Sequence, residues 1–228
     1  KKHALPVHFS IAEKHPDWDF EAIMQSAHAI LSTSIAEGFG LAFLEPWLFG
    51  KAIIGRNLPQ ISDDFIAHGI DLGGLYPAIG IPSDWIDLED LRGCVESGLR
   101  NAYAAYETTW PADAVERAMD AVRLPDGRID FAGLNEAQQE AVIERLVGDD
   151  AARRSLTQNL TDGMASEHQI QHNAAIIQEN YSLDHYAHHL NELYRDIAEQ
   201  PAHPVRSLDA KKLLSTFLKP EYFRLLRT

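Results

Sequence analysis

The run Glu37-Gly38-Phe39-Gly40-Leu41-Ala42-Phe43-Leu44-Glu45 is the part of this chain best equipped for chemistry. Gly38 and Gly40 permit positive φ and let a ligand come close to the backbone. Where a helix begins just after such a turn, the N–H groups of its first turn have no intrahelical acceptor. Together with the helix dipole they suit an anion such as a diphosphate. Seven residues separate Glu37 from Glu45, which puts one carboxylate at the loop mouth and the other inside the following helix. Two acids so placed can grip one ligand at two points, and a carboxylate accepting from paired hydroxyls makes the stronger, charge-assisted kind of hydrogen bond. The plainer reading is a solvated loop acid and an exposed helix acid, and the spacing argues against it.

Other constellations carry less. Histidines cluster at His168, His172, His185, His188 and His189, and the first two have the i, i+4 spacing of a helical metal site. No His-Glu-x-x-His order accompanies them, so a wet helix face is the better reading and no metal is expected. Phe43, Leu44 and Trp47 can line a nucleotide pocket, although aromatics near a helix start are more often core. Lys51 and Arg56 are within sequence reach of a phosphate, or are ordinary surface residues. Near the end, Lys211, Lys212, Lys219, Arg224 and Arg227 surround a helical stripe of Leu213, Leu214, Phe217 and Leu218. That stripe suits packing onto the body or onto a further domain better than an anionic membrane.

The elements that must position Glu37 and Glu45 are legible as well. Up to about residue 90, short apolar runs alternate with helically spaced segments, the pattern of βα units feeding a parallel sheet. A strand is expected over residues 5–11, and a helix capped by Asp19 with Phe20, Ile23, Met24 and Ala27 on one face. A buried strand Ala29-Ile30-Leu31 follows, then the loop 32–40 and a helix over residues 41–49 stopped by Gly50. Ala52-Ile53-Ile54, entered through Lys51, is the next strand. Pro46 lacks an N–H, so that helix must start late or kink. A short helix at 63–67 and loop with edge strand over 69–82 come next. From Asp87 the pattern is helical, over 88–106, 113–122, 135–147, 150–179 and 183–198. Asn135 with Gln138 reads as a capping box and Ser182 as an N-cap. The fold class expected is α/β, with a parallel sheet flanked by helices and a helix-rich C-terminal half.

The pattern Ser34-x-x-Glu37-Gly38-Phe39-Gly40-Leu41-x-x-Leu44-Glu45, followed by Gly50-Lys51-Ala52-Ile53-Ile54, resembles the E-x7-E region of retaining glycosyltransferases with two Rossmann-like domains, the GT-B group often classed as family 4. The resemblance covers residues 4–90 and returns weakly at 181–194. It implies a Rossmann-like donor-binding domain over residues 1–200, with a helical insertion near 95–148 and a helical tail at 201–228. It also implies hexosyl transfer from a UDP- or GDP-sugar, with retention, to a carbohydrate or lipid-linked acceptor. Glu37 then meets the sugar hydroxyls as the catalytic acid, Glu45 binds the ribose, and Gly38, Phe39, Gly40 and Leu41 meet the sugar and diphosphate. No cofactor is implied; the leaving diphosphate is stabilised electrostatically. The family's phosphate-binding Arg and Lys fall upstream of the first expected strand or are replaced, and Gln60 stands where the family often has Glu. Only one of the two domains fits this length, so the chain reads as a C-terminal part whose N-terminal partner domain holds the acceptor. A non-catalytic module that keeps the fold for nucleotide binding or assembly is the alternative.

Composition agrees with a globular chain: 228 residues, 45% hydrophobic, are ample for a core. A net charge of −14 argues against a nucleic-acid surface, which needs clustered Lys and Arg. Cys94 is the single cysteine, which suits a reducing compartment, and no secretion signal or apolar run near 18 residues is seen. A cytoplasmic protein is expected, with membrane attachment not indicated.

Overall fold

The computed structural model describes residues 7–15, 17–156, 164–201 and 207–227. In chain order the first elements are α1 (Ile11–Lys14), α2 (Phe20–Ser26), β1 (Ala29–Leu31), α3 (Glu45–Leu48), β2 (Ala52–Ile54), α4 (Pro59–Ala67) and β3 (Gly80–Ile81). They are followed by α5 (Leu88–Ala105), α6 (Ala114–Val122), β4 (Ile129–Asp130), α7 (Glu136–Gly148), α8 (Asp150–Leu156), α9 (Glu167–Asn180), α10 (Leu183–Glu199) and α11 (Ala210–Phe217). Contacts divide the chain into two compact units, Lys1–Pro77 with Gln158–His203, and Ala78–Thr157 with Pro204–Thr228. The segment 95–148 and the residues from 204 onward belong to the same second unit.

In the first unit, β1 and β2 pair in parallel, with Ala29, Ile30 and Leu31 opposite Ala52, Ile53 and Ile54. Both strands lie where the apolar runs put them. Beyond β2 the other edge of the chain is also used: Tyr76 N–H donates to Gly55 O at 3.0 Å and Asn57 N–H donates to Tyr76 O at 2.8 Å. Arg56 and Tyr76 thereby form a parallel bridge. At this coarse level the α/β expectation holds: a mostly helical chain with a small two-stranded parallel sheet. Asp19 caps α2 as expected, accepting from Ala22 N–H at 2.8 Å.

The strand expected at 5–11 is a correction in its described part. Ser10 adopts φ 53° and Ile11 opens a helix instead. Residues 7–10 are exposed, and no ladder among the described residues offers their backbone partners. The helix expected over 41–49 is split into a 3-10 turn, Leu41–Phe43, and α3. Pro46 lies in the first turn of α3, where its missing N–H costs nothing, so the expected late start is the arrangement found. Likewise α4 begins at Pro59, earlier than its expected start at 63.

Phe43, Leu44, Trp47, Ile53, Leu58, Phe65, Ile70, Leu72 and Ile177 form the core of this unit. Ile177 comes from α9, which packs on α3. Asn173 of α9 is fully buried and reads both main-chain groups of one residue: its Oδ1 accepts from Asp71 N–H at 2.8 Å, and its Nδ2 donates to Asp71 O at 2.9 Å. A buried amide satisfied in this way fixes position more than it adds net stability.

The second unit is built on α5, whose Leu91, Val95, Leu99 and Tyr103 meet Ala118, Met119 and Val122 of α6. Asp87 caps α5 at the start of the expected helical stretch, and the capping box of Asn135 and Gln138 opens α7 as their spacing predicts. β3 falls in the stretch 69–82 expected to hold an edge strand; its antiparallel partner β4, with Gly80 opposite Asp130 and Ile81 opposite Ile129, lies between two expected helices where no strand was expected. The C-terminal segment closes this unit. A Cβ at Gly98 would lie 2.6 Å from Phe223 Cζ, so only glycine lets α5 accept that ring. Tyr103 hydroxyl donates to Leu218 O, and Arg117 Nη2 meets Glu221 Oε1 at 2.7 Å. Among the described residues no helix is long and apolar enough to cross a membrane.

Candidate functional site

The loop leaves the carboxyl end of β1 under local control. Ser32 is buried; its N–H donates to Ile54 O at 2.8 Å, and its Oγ accepts from Ser34 N–H at 3.3 Å. Ser34 Oγ in turn donates to Glu37 Oε1. That contact orients the first carboxylate and leaves its second oxygen available. Ser34 belongs to the motif but carried no role in the sequence reading; a hydroxyl three residues before a loop acid was the signal.

Gly40 fixes the turn. Its φ of 70° is left-handed, it is buried, and a Cβ would lie 2.3 Å from Ile61 Cγ2 and 2.9 Å from the Phe65 ring. Two independent constraints thus demand glycine. Gly38 has open space around it, Phe39 is 87% exposed, and Leu41 is exposed. Glu45 is the first residue of α3 and is half-buried, with no hydrogen-bonding or ionic partner among the described residues.

Main-chain accounting gives the site its character. Phe43 N–H donates to Gly40 O and Leu44 N–H to Leu41 O, both at 2.9 Å, closing the 3-10 turn. The preceding N–H groups, those of residues 38–42, donate to no acceptor among the described residues. Successive unpaired amides at a strand end are a donor set that an anion can use. Here two half-buried carboxylates, Glu37 and Glu45, bound that run in sequence.

The remaining candidates sort themselves. Phe43, Leu44 and Trp47 are core; the Trp47 indole donates to Phe43 O at 2.8 Å. The void of about 10 Å³ beside Trp47, Ile53 and Asp71 has room for one water at most. Lys51 Nζ donates to Gln25 O at 2.8 Å. His172 Nε2 donates to Gly69 O at 3.1 Å. His188 and His189 share Glu192 at 3.3 and 3.6 Å, and among the described residues no group of three or more His, Cys, Asp or Glu is arranged to hold a metal. No Asp-x-Asp metal motif was expected, yet Asp17-Trp18-Asp19 has that spacing; Asp19 accepts from Ala22 N–H as the cap of α2. Tyr181 packs edge-on to Phe65 and meets His68 Nδ1 at 2.5 Å; burial, then the Asp64 charge, pushes its hydroxyl above the ordinary tyrosine range.

No family model, no curated protein and no solved structure matches this chain significantly.

Proposed function

We propose that the loop from Ser32 to Glu45 binds the diphosphate and sugar of a nucleotide-sugar donor, in the donor-binding part of a retaining hexosyltransferase. The single observation that carries this reading is the run of unpaired N–H groups at residues 38–42 between two acids. Diphosphate oxygens satisfy those amides without a side-chain cation, which suits a strongly acidic chain. Glu37, held by Ser34, is the acid for the donor sugar, with Gly38 and Phe39 beside it. Glu45, unpaired at the head of α3, takes the ribose hydroxyls, and Gly40 and Leu41 line the diphosphate. The parallel pairing of β1 and β2, extended by Tyr76, supports a Rossmann-like setting in which ligands sit at the carboxyl ends of strands. The acceptor, a carbohydrate or lipid-linked sugar, is supplied through a domain beyond these residues, in a cytoplasmic setting and without metal or cofactor.

Titration calorimetry with UDP and with GDP tests the reading. One of the two is expected to bind, and Glu45→Gln to weaken it about tenfold, the size of one lost charged hydrogen bond. Glu37→Gln is expected to leave nucleotide affinity within about twofold while removing any added affinity of the full nucleotide sugar. If neither nucleotide binds, the reading as a non-catalytic protein-interaction module replaces this one.

A further inference from the structure

The second unit contains a groove of about 670 Å³, within the range of small-molecule sites. Its walls come from the end of α5, the following turn at 106–111, α6, α11 and the residues after it. Arg117, Lys211 and Lys219 bring three cations to it against one lining acid, Glu107. In a chain of net charge −14 such a concentration runs against the composition. Arg117 is already matched by Glu221 at 2.7 Å and Asp113 at 3.7 Å. Neither Lys211 nor Lys219 has a carboxylate within ion-pair distance among the described residues, although the Lys219 charge reaches Glu221 and, after the Arg117 hydrogen bond, helps hold its carboxyl below the ordinary range; Lys219 Nζ sits 5.7 Å from the centroid of the Tyr222 ring. Hydroxyls of Thr108, Thr109 and Tyr106 line the same space, as do the apolar surfaces of Pro111, Leu214 and Leu218.

Strain marks the lip. α5 ends with Glu107 N–H on Ala104 O and Thr108 N–H on Tyr103 O, a two-bond stop that places Glu107 at φ 50°. Glycine is the usual residue at that position, and a side chain with a Cβ there is disfavoured. The chain keeps this less comfortable residue on the groove wall. A smaller cavity of about 200 Å³, sharing Tyr103, Leu218 and Lys219, continues the surface toward Leu99, Phe217 and Phe223.

We propose that this groove binds an organic anion, with a phosphate- or carboxylate-sized group between Lys211 and Lys219 and an apolar body against Leu214, Leu218 and Pro111. The groove lies wholly within the second unit, so the proposal stands or falls apart from nucleotide binding at the loop.

Octyl phosphate, inorganic phosphate and octanol, each titrated calorimetrically into the whole chain, supply the test. Octyl phosphate is expected to bind one to one, about tenfold or more tighter than either fragment. The double variant Lys211→Glu, Lys219→Glu is expected to weaken it at least about tenfold, whereas Lys212→Glu, on the same helix but outside the groove, changes it less than about twofold. The substituted lysines are exposed, and an unchanged thermal midpoint verifies that the variants fold. Equal losses in the double variant and in Lys212→Glu would overturn the proposal. So would octanol binding as well as octyl phosphate, or no saturable binding at all.

Discussion

On the two proposals above, the loop of the first unit and the groove of the second would answer a negative charge by opposite means. At the loop the donors are main-chain N–H groups of consecutive residues, held in place by Gly40 and by the packing of Phe43 and Trp47 beneath them. At the groove they are long side chains from segments about a hundred residues apart, Arg117 on one side and Lys211 and Lys219 on the other. Amide donors are preorganised and only proline deletes them, so such a site is sensitive to backbone geometry. Lysines are screened by salt and are removed singly. The two sites should therefore fail under different insults.

Gly40→Ala is the severest way to break the comparison. The new Cβ meets Ile61 and Phe65 and must hold positive φ, so a loss of about 3 kcal/mol in urea unfolding is expected. Nucleotide affinity should fall with it while octyl phosphate affinity stays. Retained loop binding would show that the turn does not set the amides. Next, Asn173→Ala strips Asp71 N–H and O of their buried partner, with an expected loss of about 2 kcal/mol. Because Asn173 touches neither the loop nor the groove, both affinities should survive under conditions where the variant is folded.

The smallest effect is expected from Glu221→Gln. The hydrogen bond from Arg117 holds the Glu221 carboxyl below its ordinary range. A carboxylate whose folded value is depressed stabilises the fold above its unfolded value, and that contribution disappears as pH falls through the folded value. The acid limb of the wild-type stability profile, below about pH 4.3, should thus be steeper than that of Glu221→Gln, and any advantage of the wild type near pH 7 should shrink toward pH 3. The urea midpoint measured between pH 3 and 7 on both proteins reads this directly.

How much of this was legible beforehand differs by site for the same physical reason. Contiguous chemistry leaves a local trace: the glycines, the spacing of Glu37 and Glu45, the strands at 29–31 and 52–54, and the caps at Asp19, Asn135 and Ser182 are read from short-range rules. The groove leaves none, because Tyr103, Arg117 and Lys211 meet only through tertiary packing. β4 was hidden similarly; two residues, Ile129 and Asp130, are too few to show alternation, and their pairing with Gly80 and Ile81 supplies the structure. The strand expected at 5–11 failed for the converse reason: apolar composition without a partner does not make a ladder.

The most direct test of the central claim follows the backbone amides by 15N-labelled NMR during titration with UDP or GDP. The account predicts saturable shifts at residues 38–42, shared by Glu45 and absent from Tyr103, Arg117 and Lys211. Saturable binding that leaves residues 38–42 unmoved would contradict it.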